Sequence, residues 1–179
     1  MILRNFGPVE FVFDVLDVTP DVPEAAYSFP TKGNIVFGWI SGTIKKLSME
    51  RIEVTTVQYG DYKAGQVKML IDFGDPSQKN KFELVINNSH PENIQFVTLM
   101  HELAHIYLGH CGADAKRGIK ARTDMEKSQK EVEAETVAYV IAKRSGISPK
   151  SEKYLENYSA GFEKFDVHAV LHAAGQIEK

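Results

Sequence analysis

The residues of this chain best able to do chemistry lie together in Thr98-Leu99-Met100-His101-Glu102-Leu103-Ala104-His105-Ile106-Tyr107-Leu108-Gly109-His110. On a helix each residue turns the side chain by about 100°, so His101 and His105, four apart, stand one above the other and can grip a single ion. Glu102 lies beside them on the same rim. Neutral imidazoles suit zinc, and a carboxylate next to them can take the proton of a water that the ion has acidified. That combination hydrolyses amide bonds. The bland alternative is a pair of hydrogen-bonded core histidines. The setting weighs against it, because two histidines and a glutamate within an apolar run are costly unless something satisfies them.

The elements around this motif are those a buried metal helix needs. Ser89-x-x-Glu92 has the form of a capping box with Pro91 in the first turn, and Gly109 is placed to end the helix. Ile94, Phe96, Val97, Met100, Leu103, Ala104, Ile106 and Leu108 cover nearly its whole circumference, which predicts a core helix. A hydrolytic zinc site usually takes three protein ligands and leaves one position to water, so a further donor is needed. Glu131-Val132-Glu133-Ala134-Glu135 opens a helical pattern that runs to Arg144 and closes at Gly146. Glu131 and Glu135 share a face with Ala134, Ala138 and Ala142, whereas Glu133 points elsewhere. Small residues on that face allow close approach to the histidine helix. Glu131 can then complete the set, with Glu135 holding a ligand imidazole by its other nitrogen. Ser128-x-x-Glu131 is itself a capping pattern, but Thr123-x-x-Glu126 is an equally good one upstream.

Other histidines are weaker candidates. His110 lies beyond the terminating glycine and misses the metzincin spacing by one residue. His168 and His172 are four apart on a last helix, Val167 to Ile177, but no glutamate follows His168, and a surface or half-buried pair is expected. Tyr154 and Tyr158, one helical turn apart, are candidates to stabilise a transition-state oxyanion, with core aromatics as the alternative. Cys111, the one cysteine, cannot form an internal disulfide and reads as a tolerated thiol.

The rest of the chain frames this centre. With 43% hydrophobic and 25% charged residues and a net charge of −3, it has the composition of an ordinary soluble domain. No basic excess points to direct nucleic-acid binding, and no run is long enough to span a bilayer; a cytoplasmic protein is expected. Strand-like runs fall at Val9–Val18, Ile35–Ile40, Ile52–Tyr59, Val67–Phe73 and Phe82–Asn87, with helices after them. The pattern is α+β, an N-terminal β-sheet followed by a helical half. Residues 1–80 form a β-rich region able to carry specificity, and residues 81–179 the catalytic region, within one compact domain. Between residues 111 and 130 the basic residues Lys116, Arg117, Lys120, Arg122, Lys127 and Lys130 accumulate. They form either a substrate-contacting lip or, more simply, a solvated loop with Asp114, Asp124 and Glu126 as counter-charges.

From Phe82 to about Ile177 the chain resembles the ImmA/IrrE family of metallopeptidases. The resemblance is carried by the strand Phe82–Asn87 leading to His101-Glu102-Leu103-Ala104-His105 and Leu108-Gly109-His110. It continues through Glu131-Val132-Glu133-Ala134-Glu135, Val137-Ala138-Tyr139, Tyr154-Leu155 and Ala173-Ala174-Gly175-Gln176-Ile177. It implies a zincin-like fold, zinc (Zn2+) held by His101, His105 and Glu131, and Glu102 as general base. It also implies proteolysis of a transcriptional repressor in a mobile-element or stress-response circuit. Related sites carry Asn or Asp four residues after the ligand glutamate; here that position is Glu135, whose longer carboxylate can itself reach a metal, so Glu131 and Glu135 both stand as third ligand. A second class of function stays open: a regulatory binding protein that keeps zinc as a structural element, such as a toxin–antitoxin or anti-restriction partner. Glu102 favours the enzyme, since a structural site has no need of it.

Overall fold

Residues 31–58, 64–70, 81–149, 151, 155 and 158–179 are described by a computed structural model of the chain. In order, the elements are α1 (Trp39–Met49), β1 (Ile52–Val57), β2 (Gly65–Met69), β3 (Phe82–Asn87), α2 (Glu92–Tyr107), α3 (Lys127–Arg144) and α4 (Val167–Ile177). Short 3-10 turns stand at Ala115–Arg117 and Ser159–Lys164. The architecture is α+β and compatible with a zincin-like fold.

The strand that feeds the histidine helix is the middle of the sheet. Among the described residues the order is β1-β3-β2, with β1 parallel and β2 antiparallel to β3. Burial explains this: Phe82, Leu84, Val85, Ile86 and Asn87 are buried along β3, whereas in β1 only Ile52 is buried and every residue of β2 is half-buried or exposed. α2 lies against β2 and β3 on one side and against α3 and α4 on the other. Its buried residues Ile94, Phe96, Leu99, Met100, Leu103, Ala104 and Ile106 cover the circumference as the sequence predicts. α3 approaches α2 along Ala134, Ala138 and Ala142, each fully buried. Side chains that end at Cβ let the two helix axes come close, and that proximity brings opposing carboxylates and imidazoles within reach.

Several local expectations are corrected. The run Ile35–Ile40 is a turn leading into α1, not a strand. Trp39 and Leu47 fall at helical spacing, with Trp39 against Phe96 at 4.5 Å between ring centroids and Leu47 buried, so tertiary packing overrides the β-branched composition of the first six residues. The expected strand Val9–Val18 lies outside the described residues. Ser89 does not cap α2: its N–H donates to Asn87 Oδ1 at 3.0 Å, in the turn leaving β3, and Pro91 itself holds the N-cap position. α3 begins at Lys127, one turn before Glu131, with Glu126 as N-cap. Glu131 is therefore a helix-interior residue, one turn inside the N-cap. The ends of α2 and of α4 fall where the sequence puts them.

After α2 the chain reverses at Gly109, whose φ of +77° is a conformation that glycine adopts without steric cost. A Cβ there would also collide with the Lys120 carbonyl. The returning segment is pinned by Arg122 N–H donating to Gly109 O at 2.9 Å. Gly109→Ala should destabilise the fold by about 2–4 kcal/mol, the left-handed backbone and the backbone collision adding together. Denaturant titration of the variant measures this, and a loss below about 0.5 kcal/mol would contradict the account.

Candidate metal centre

His101 and His105 project from consecutive turns of α2 with their Nε2 atoms 3.1 Å apart. Glu131 of α3 faces both, its carboxylate 3.5 Å from His101 Nε2 and 3.9 Å from His105 Nε2. One donor atom from each of the three residues lies within 4.8 Å of the other two, close enough to share an ion. The side chains are 14%, 13% and 16% exposed, so the cluster opens to solvent on one side instead of being sealed. A sealed cage suits a structural metal; an open rim leaves room for water and substrate.

The outer nitrogens show how the rings are oriented. His101 Nδ1 lies 3.0 Å from Glu135 Oε2. A carboxylate accepts, so Nδ1 carries the proton and Nε2 is left as a lone pair on the cluster side. His105 Nδ1 lies 3.0 Å from His110 Nδ1. Glu135 thus touches the back of a ring, while Glu131 sits where the two front nitrogens converge. His110, set aside as a ligand on spacing, stands behind His105 with its side chain buried.

Glu102 is buried at the junction of α2 and β2. A Cβ on Gly65 of β2 would stand 3.2 Å from Glu102 Oε1, 2.6 Å from Thr98 Cγ2 and 2.9 Å from Val85 O. The glycine therefore provides the space in which Glu102 sits. Tyr158 is half-buried in the turn before Ser159–Lys164, and Tyr154 lies outside the described residues. His168 and His172 are exposed on α4. Burial and the nearby Glu102 push the Cys111 thiol up to about 11, so it stays protonated and unreactive at neutral pH.

The basic segment is less free than its composition suggests. Arg117 pairs with Asp114 and reaches the Glu50 carbonyl, and Lys81 Nζ lies 3.3 Å from Asp114. Arg122 Nη1 lies 2.7 Å from Glu133 Oε2, whose side chain is fully buried. Two of the six basic residues thus hold the core together. The reading of the segment as a solvated loop or a substrate lip is replaced for both arginines by an internal structural role. Sequence reasoning missed the set Arg122, Glu133 and His110. The available signal was a histidine one residue past the glycine that ends α2, together with a glutamate on the opposite face of α3 from Glu131.

Residues 63–149 match a peptidase family model described as the IrrE N-terminal-like domain. The matched region holds β2, β3, α2 and α3, and thus the whole cluster. This match supports an ImmA/IrrE family metallopeptidase. No curated protein and no solved structure matches it.

The cluster fits a divalent cation on its own chemistry. Two lone pairs 3.1 Å apart beside a carboxylate repel unless a positive charge lies among them. In metal-free protein that charge is a proton: burial opposes it, but Glu131 and Glu135, helped by Glu102, outweigh burial and push His101 up to about 10. Burial and the charge on His101 push His105 down to about 3. Because the folded value of His101 is raised from 6.5, the stabilisation by its proton is complete below pH 6.5 and is lost as pH rises through about 10. A bound cation replaces that proton. The melting temperature of metal-free protein should therefore fall relative to metal-loaded protein between pH 6.5 and 10, with about one proton released per cation bound at neutral pH. Cys111 and Tyr107 are common to both forms and cancel in the difference. Melting curves across this window and calorimetry in buffers of different ionisation enthalpy measure both effects; a pH-independent gap with no proton release would refute the assignment of the charge to His101.

Proposed function

We propose that the protein is a zinc-dependent endopeptidase that cleaves a helix-turn-helix transcriptional repressor in the cytoplasm, within a mobile-element or stress-response circuit. The observation that carries the enzymatic part is the convergence of His101 Nε2, His105 Nε2 and the Glu131 carboxylate at an open rim with Glu102 adjacent in sequence. The family supports peptide as the class of substrate. The choice of repressor rests on the family resemblance and on the net charge of −3, which argues against direct contact with DNA. No described helix is long and apolar enough to cross a membrane.

In this reading His101, His105 and Glu131 hold the ion, and Glu135 orients His101 through Nδ1. Zinc, when bound, supplies Lewis-acid polarisation and lowers the pKa of water. Glu102 accepts the proton of the attacking water and returns it to the leaving amine nitrogen. Tyr158 or Tyr154 is the proposed donor to the oxyanion. An extended segment of the substrate pairs with a sheet edge. Among the described residues β3 is central, so the edge nearest the chemistry is β2, whose Gly65 adjoins Glu102. Backbone pairing reads little sequence, so discrimination among repressors falls to residues 1–80 or to the exposed lysines of the 116–130 segment.

Glu102→Gln should retain zinc within severalfold and lose cleavage by at least about 10²-fold, since the amide keeps the shape but cannot take a proton. The assay is incubation of zinc-loaded wild type and variant with candidate repressors, followed by mass spectrometry of fragments, with casein as control. Casein cut as fast as any repressor would refute a dedicated substrate. No cleavage by zinc-loaded wild type would favour the non-catalytic regulatory binding protein. For the carboxylates, Glu131→Gln should weaken zinc binding more than Glu135→Gln, the latter by about 10–100-fold. A reversed order in chelator competition would make Glu135 the ligand.

A further inference from the structure

His105 is held from behind by a line of buried polar groups that runs away from the cluster. Its Nδ1 lies 3.0 Å from His110 Nδ1, and His110 Nε2 lies 3.4 Å from Glu133 Oε2. Glu133 is fully buried and surrounded by donors. Arg122 Nη2 donates to its Oε1 at 3.0 Å while Nη1 lies 2.7 Å from Oε2; Gln129 Nε2 and the Asp166 N–H also donate to Oε1, at 3.2 and 3.3 Å. His110 reaches this place because the left-handed turn at Gly109 folds the chain back over the last turn of α2, where the His110 N–H donates to His105 O at 2.9 Å.

The protons along this line have one consistent arrangement. Arg122 is always charged and can only donate, and with four donor nitrogens from Arg122, Gln129 and Asp166 around it Glu133 is an anion that can only accept. The 3.4 Å contact from His110 is an ion-pair distance without hydrogen-bond alignment, so its effect is electrostatic. A lone pair facing that anion is repelled and an N–H is attracted, which puts the His110 proton on Nε2. His110 Nδ1 is then an acceptor, and two ring nitrogens 3.0 Å apart need one proton between them. It resides on His105 Nδ1. The lone pair of His105 is thereby fixed on Nε2, facing His101 and Glu131.

We propose that Arg122, Glu133 and His110 form a buried positioning chain that locks His105 in its Nδ1–H tautomer and holds its Nε2 lone pair ready for the metal. The proposal rests on the reading of His105 as a metal ligand. It gives His105 a support on α3 and the returning segment, as Glu135 gives His101 one on α3. The two supports differ in kind: Glu135 acts directly, whereas Glu133 acts through an intervening ring.

The test uses the full chain and zinc alone as probe, with affinity read by competition against a chromophoric chelator. His110→Leu, which fills the space but offers neither donor nor acceptor, should weaken zinc binding by about 10–100-fold, and Glu133→Gln by less. His110→Gln, whose amide presents an acceptor and a donor side by side, should recover part of the loss. Long-range proton–nitrogen NMR in a metal-free His101→Leu background, which lacks the proton His101 places against His105 Nε2, should show the His105 proton on Nδ1, and with His110→Leu added a mixture of tautomers. A folded His110→Leu variant that binds zinc within about twofold of wild type would overturn the proposal, as would a lowered melting temperature with affinity and tautomer unmoved. If His110→Leu does not fold, the spectrum of the His101→Leu protein decides: a proton on His105 Nε2 overturns the chain and one on Nδ1 supports it. Wild type that binds no zinc overturns the metal reading, and the tautomer of His105 still decides the positioning chain on its own.

Discussion

Two imidazole lone pairs held 3.1 Å apart inside an apolar helix pair are the constraint around which this molecule is built. Such an arrangement is repulsive in itself and persists only because a cation can occupy the gap and because the surrounding structure leaves the rings nowhere else to turn. The helix that carries them is buried nearly all round, so its rotation is set by packing against β3 on one side and α3 on the other. The approach of α3 is in turn set by Ala134, Ala138 and Ala142. Larger side chains there would push Glu131 out of reach of both nitrogens.

The polar groups buried around this core are tied to one another. Glu133 joins α3 to the segment after α2, through Arg122 and His110, and to the start of α4, through the Asp166 N–H. Asp114 does similar work for the 3-10 turn: Arg117 and Lys81 hold its carboxyl below the usual range despite the opposing effect of burial. Removing one member of either set leaves a buried charge without a partner, which is far costlier than replacing the whole set by apolar residues. Segment 109–122 therefore belongs to the architecture of the site even though its composition is that of a surface loop.

An asymmetry between the two sides of α2 follows. The α3 side presents Glu131 and Glu135 to the two histidines. The β2 side supplies space, through Gly65, for Glu102.

The sequence by itself determined the centre: the four-residue spacing of His101 and His105, the intervening Glu102, the apolar circumference of α2 and the glycine that ends it are local properties, set by helix periodicity and backbone sterics. It also carried the alanine face that brings α3 close and the limits of β3 and α4. What only the tertiary structure decided is whatever depends on the relative placement of distant segments. The residues from Ile35 to Ile40 have strand composition, but Trp39 finds Phe96, 57 positions away, and the chain turns into α1. Glu131 and Glu135 lie on one helical face and are equivalent by periodicity; their different heights along α2 put one before the ring nitrogens and the other behind. Arg122, Glu133 and His110 had no shared motif to announce them. Their pairing exists because the left-handed turn at Gly109 carries His110 back to α3, and buried charges separated in sequence must find their partners in space.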